Sequence, residues 1–138
     1  MQKLSFFLII VVLISACGNN YNGASTNQNL NPTNDEEDFQ LDYNLSTEGD
    51  IETILTYTGE DSVELVFGSP LTAIAVDNTS YAFDDFRQTT ILNKNHSYKE
   101  SGSLNLEPGT YTLNLLAKFS VNEKQHEIEI NDIEMTVN

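Results

Sequence analysis

The chain has 138 residues, with 6 Lys and Arg against 21 Asp and Glu, no Trp and a single Cys. Its length allows one domain, and one Cys excludes an intramolecular disulfide. A net charge of −15 repels phosphate, which excludes nucleic acid as a partner and rules out surface charge as a means of holding anionic lipid.

Residues 1–16 read MQKLSFFLIIVVLISA: a lone cation at Lys3, an unbroken apolar run from Phe6 to Ile14, then the small residues Ser15 and Ala16. A basic start, a short apolar core and small residues before a cut are the marks of a secretory signal peptide. The run is too short to cross about 30 Å of hydrocarbon as a helix, and no polar face repeats in it at helical spacing. All the acids lie beyond this leader, so its removal with Lys3 would take the net charge from −15 to −16.

Ile14-Ser15-Ala16-Cys17 closes the segment and resembles the lipobox of bacterial lipoproteins, an aliphatic residue and two small ones before an obligatory cysteine. The resemblance implies cleavage between Ala16 and Cys17, a diacylglyceryl thioether on the Cys17 sulfur, and a lipidated new N-terminus. Two or more acyl chains, each buried methylene contributing about 0.8 kcal/mol, give durable anchoring where one chain does not. Gly18 follows, with no aspartate to suggest inner-membrane retention. This junction and the Asn-rich stretch after it resemble lipoproteins of Gram-positive more than of Gram-negative bacteria. The expected location is therefore the extracytoplasmic face of a cell membrane.

Residues 17–38 form the expected lipidated tether. GNNYNGASTNQNLNPTNDEED offers a core only Tyr21 and Leu30, too little apolar surface to offset the entropy of ordering it. Some twenty residues of random coil reach about 25 Å on average. The acids Asp35, Glu36, Glu37 and Asp38 run consecutively, without the interleaved spacing and turn glycine of a calcium loop, and are read as solvated.

From residue 39 to 138 the apolar period is two. Phe39, Leu41, Tyr43 and Leu45 predict a first strand, Ile51 to Tyr57 a second, and Val63, Leu65 and Phe67 a third, with a polar connector at 58–62 of hairpin length. Gly68-Ser69-Pro70 predicts a break before a separate strand from Leu71 to Val76. Tyr81, Phe83 and Phe86 predict a further short strand, with Ile91-Leu92 after it; Tyr98, Leu104 and Leu106 belong to the next. Pro108 and Gly109 stand where a type II turn places them. Tyr111, Leu113, Leu115, Ala117 and Phe119 give the cleanest alternation and predict a central strand. Ile128 and Ile130 lie on one phase and Ile133, Met135 and Val137 on the other, which predicts a β-bulge at Asn131-Asp132. No amphipathic helix is evident. Seven to nine short strands with regular turn signals predict an all-β, immunoglobulin-like antiparallel sandwich.

Residues 54–78, ILTYTGEDSVELVFGSPLTAIAVDN, with 104–119, LNLEPGTYTLNLLAKF, resemble the immunoglobulin-like sandwich of the BsuPI-type proteinase-inhibitor family. The resemblance implies that fold and, as an alternative function, proteinase inhibition. It transfers no inhibitory residue, and the tryptophans common in the family's middle strands are missing.

Motifs for catalysis are not found. His96 lies in a turn and His126 alternates with Ile128 in the last strand, where it is read as decorating a sheet face; neither has a metal-ligand spacing. Acylated Cys17 would offer no thiol nucleophile, and no Gly-x-Ser-x-Gly or Ser-x-x-Lys occurs. Asp84 and Asp85, being adjacent, point to opposite faces of a strand and make no acid–base pair, although carboxylates gathered by the fold could still form one. The expectation is a non-enzymatic, cofactor-free and metal-free binding module of the cell envelope, with a protein or wall partner and an unassigned binding site. An inhibitor and a carboxylate enzyme are the alternatives.

Overall fold

The computed structural model describes residues 38–138. Seven strands follow in chain order: β1 (Phe39–Leu45), β2 (Asp50–Tyr57), β3 (Val63–Val76), β4 (Asp84–Leu92), β5 (Ser97–Ser103), β6 (Gly109–Val121) and β7 (Lys124–Val137). They form two antiparallel sheets, β1-β2-β5 and β4-β3-β6-β7. The predicted leader, Cys17 and nearly all of the tether lie outside the described residues.

Alternation along each strand supplies the core. Ile51, Leu55 and Tyr57 of β2 face Leu113, Leu115, Ala117 and Phe119 of β6, all buried, with Ile128, Ile130, Ile133 and Met135 extending the layer along β7. β6 lies between β3 and β7, as its long alternation predicts. In place of a disulfide, an aromatic group holds the centre: the Phe39 ring lies 4.8 Å from Phe119, edge-on, and 5.0 Å from Tyr57.

The strand order defines an immunoglobulin-like sandwich with one displacement. In the constant-type domain the fourth strand closes the sheet of the first, second and fifth; here β4 pairs with β3 instead. The fourth sheet position is thereby filled on one side only. β4 packs substantially against β3 alone and has no opposite strand in the three-stranded sheet.

A recurrent feature of such sandwiches fixes the entry to β6. The Tyr111 hydroxyl donates to the carbonyl of Glu107, 2.8 Å away, forming a tyrosine corner. A Cβ at Gly109 would stand in ordinary contact, 3.5 Å from the Tyr111 ring, so the corner does not require glycine there. The φ angle of Gly109 is not positive, so the predicted type II turn does not form; Asn105 (φ 48°) takes the left-handed residue of this connection instead.

Four further expectations are corrected. Residues 58–62 form no hairpin but carry the chain from one sheet to the other, because loop length does not distinguish a hairpin from an arch. Gly68-Ser69-Pro70, with a cis Ser69-Pro70 bond, does not end a strand: β3 runs through it as a bulge. Tyr81 and Phe83 lie in the connector ahead of β4 rather than in a strand. His126 is buried, not a surface decoration, with its ring stacked on Phe119 at 5.3 Å. The bulge at Asn131-Asp132 is present: Leu113 pairs with Ile133 and Leu115 with Ile130, so two residues oppose Asn114. Asp132 is left-handed there (φ 58°), and its amide donates to the Asn114 side chain at 2.9 Å.

Candidate functional site

Three local devices shape the outer surface of the four-stranded sheet. The first is the bulge in β3. Phe67 pairs with Phe119 and Thr72 with Ala117, so four residues of β3 oppose Lys118 alone. Amides stranded in this way need other acceptors. Glu100, on the inner face of β5, supplies them from the opposite sheet, its two carboxylate oxygens accepting from the amides of Leu71 and Thr72 at 2.9 and 3.0 Å. Burial, and next the charge of Glu100, push the neighbouring Tyr98 phenol up.

The second device is the connector ahead of β4. Ala73 and Ala75 pair with Leu116 and Asn114 and so share their outward phase, yet both are buried. Tyr81 reaches across this face, its hydroxyl donating to Glu129 of β7 at 2.8 Å. Burial first, then the hydrogen bond and charge of Glu129, push its phenol up to about 12 from 10.0. The fold therefore favours the neutral phenol. Below pH 10 the stabilisation is complete; between about pH 10 and 12 the unfolded chain ionises first and stability falls; above about 12 the contribution is gone. Tyr81→Phe should flatten that alkaline fall relative to wild type, measured by urea unfolding at several pH values. Tyr43 and Tyr98, raised in the same direction, leave a residual slope in the variant.

The third is β4 itself. Asp84, Asp85, Phe86 and Arg87 are exposed, and the two large exposed hydrophobics among the described residues, Phe86 (72 %) and Ile91 (64 %), both belong to this strand. They stand on opposite faces. Ile91 shares the outer phase of Glu64, whereas Phe86, two residues from Gln88, takes the opposite phase within a bulge in which residues 85–87 of β4 oppose Gly68 alone; no strand of the three-stranded sheet pairs with or lies beside β4. Burying such a ring contributes about 1.5–3 kcal/mol. Between β4 and β6, beside the Gly68 bulge, lies a groove of about 290 Å³ flanked by Phe83, Asp85, Arg87, Lys118 and Gln125.

Charge over the described residues is distributed, not gathered. Setting aside Lys3 and the acids Asp35, Glu36 and Glu37 leaves 18 acidic and 5 basic residues in 38–138. Lys94 pairs with Glu60, Lys99 with Glu52 at 3.4 Å, and Lys118 with Glu127 at 2.7 Å, all at the surface where such pairs contribute little. The Arg87 side chain makes no ion pair or hydrogen bond among the described residues, and neither do the side chains of Asp84 and Asp85.

The sequence-selected residues are not brought together. His96 is exposed in the turn after β4, its backbone carbonyl accepting from the Tyr57 amide. His126 lies in the core and Asp38 is exposed at the entry to β1. Among the described residues no three His, Cys, Asp or Glu side chains are grouped so as to hold a metal ion. Sequence reasoning missed Glu100 and the β4 edge. The available signals were a carboxylate in phase with Tyr98, and an aromatic between unlike charges in Asp85-Phe86-Arg87.

Fold and surface together define an immunoglobulin-like sandwich with a switched fourth strand and an open, partly apolar edge. Compared with known proteins, the chain matches no family model and no curated protein.

Proposed function

We propose that the protein is a lipid-anchored, extracytoplasmic lipoprotein of the bacterial envelope whose sandwich acts as a non-catalytic binding module. The observation that carries this reading is Ile14-Ser15-Ala16-Cys17 at the end of a basic and apolar leader. Lipid on Cys17 would supply the membrane affinity that an acidic surface cannot.

The geometry of the sandwich supports the same arrangement. The chain enters β1 at Asp38, at the end that also carries the connections 58–62, 93–96 and 122–123. The turn 46–49, the connection 104–108 and Asn138 lie at the other end. A tether reaching about 25 Å would present that far end, and both sides of the sandwich, to an envelope protein or wall polymer.

Cys17→Ser tests the anchor. The protein should leave the membrane fraction or be mislocalised, while the thermal midpoint of its sandwich is unchanged. Membrane association equal to wild type would overturn the reading. The binding role is tested by cross-linking in cells and affinity recovery against a control consisting of the lipidated tether alone; recovery of no partner beyond the control would count against it.

A further inference from the structure

We propose that β4 is a self-association edge: two copies of the chain join antiparallel through Asp84–Gln88, with Phe86 of each on the two-fold axis. A strand at a sheet edge offers a row of unpaired backbone groups to another strand. The described fold has four such edges, β1, β5, β4 and β7. β4 alone adds large exposed apolar side chains, Phe86 and Ile91.

The occupant follows from the order of charges. In an antiparallel pair centred on Phe86, Asp85 of one copy stands opposite Arg87 of the other, and the reverse pair forms by symmetry. Asp85 and Arg87 both flank the outer groove beside Lys118 and Gln125, so both ion pairs form on that face, while the two Phe86 rings meet on the opposite one. Neither charge has an internal partner to give up. Moving the centre one residue either way sets Asp85 against Asp85 or Arg87 against Arg87, and like charges directly opposite are destabilising. The register is thus specified by charge. A foreign strand would need a matching sequence of its own, whereas a second copy carries it already.

The switched topology makes room for the contact. With no strand of the three-stranded sheet over β4, the inner side of Phe86 is open, and joining two edges would give a continuous eight-stranded sheet. The connector ahead of Asp84 turns away over the outer face, as the Tyr81–Glu129 bond shows, and so limits the new ladder to five residues of each copy. So short a contact between two acidic bodies makes a weak dimer in solution. The association belongs to the sandwich and does not depend on acylation of Cys17.

Sedimentation equilibrium of the full chain in density-matched detergent, at an ionic strength of about 0.15 M where net-charge repulsion is screened beyond roughly 8 Å, tests it. Between micromolar and millimolar protein, wild type should pass from monomer to dimer. Asp85→Arg and Arg87→Asp, each alone, should weaken association at least tenfold, and an equimolar mixture of the two should restore it, because the mixed pair again sets Arg against Asp at both positions. Phe86→Ser, which touches neither charge, should also weaken the dimer. All three positions are exposed, and an unchanged thermal midpoint verifies each fold. Wild type that stays monomeric throughout, single variants that associate as wild type does, or a mixture that fails to restore the dimer would each overturn the proposal.

Discussion

Phe119→Ala should lower the unfolding free energy by about 4 kcal/mol, the middle of the range for truncating a buried aromatic. Phe119 is 2 % exposed and sits where both sheets and two strand pairings meet. Its backbone neighbours are Phe67 of β3 and His126 of β7. Its ring stacks on His126 at 5.3 Å and receives the Phe39 ring from the opposite sheet at 4.8 Å. Truncation removes the area the ring buries and leaves a cavity that antiparallel strands on both sides cannot collapse to fill. The effect is read from the urea midpoint at constant m-value. A loss below about 1 kcal/mol would mean that the cavity closes, contrary to the rigidity assigned here. In a chain with no disulfide in its body, a loss of this size is a large fraction of the usual 5–15 kcal/mol.

Glu100→Gln should cost about 2 kcal/mol, within the range for hydrogen bonds to a charged group. The substitution keeps the shape of the side chain but replaces one acceptor oxygen by a donor NH₂. One of the Leu71 and Thr72 amides then keeps its partner, and the other faces a second donor. Glu100 is the polar link between β5 and the β3 bulge, so the local readout is hydrogen exchange at those two amides. Both should exchange faster than in wild type, while amides of the β6–β7 ladder respond only to the global loss. Unchanged protection at Leu71 and Thr72 would show that the bulge is held by something other than this carboxylate.

These two residues differ in how far the sequence announced them. Phe119 ends the longest alternation in the chain and could be placed in the core of a central strand from that pattern alone. Glu100 could not. Its strand, SYKESGS, carries Tyr98 as its one apolar side chain, and the amides Glu100 satisfies lie nearly thirty residues earlier, in a segment whose Gly, Ser and Pro predict an end to the strand. The same contrast separates the two irregularities of the four-stranded sheet. The bulge at Asn131-Asp132 shows in the sequence as a change of apolar phase. The bulge at Gly68–Leu71 does not, because its compensation comes from another sheet.

The candidate surface was less legible still. Spacing predicts Phe86 in one strand with Tyr81 and Phe83, yet only Phe86 belongs to β4. Tyr81 instead lies in the connector, and its bond to Glu129 joins that connector to β7. Nothing local to β4 states that it pairs with β3, or that no strand covers its inner face.

By itself the sequence determined the all-β class, the inward and outward phase of most strands, the central place of β6, and the bulge in β7. Side-chain alternation and turn chemistry are local properties, set by residues a few positions apart. The tertiary structure alone decided the transfer of β4 to the four-stranded sheet, the burial of His126, the inter-sheet role of Glu100 and the exposure of Phe86. Each depends on which strands meet across distances in the chain that period-two alternation does not encode: a strand with one apolar face satisfies the same local pattern on either side of a sandwich, and the side it takes is settled by what the other strands leave unpaired.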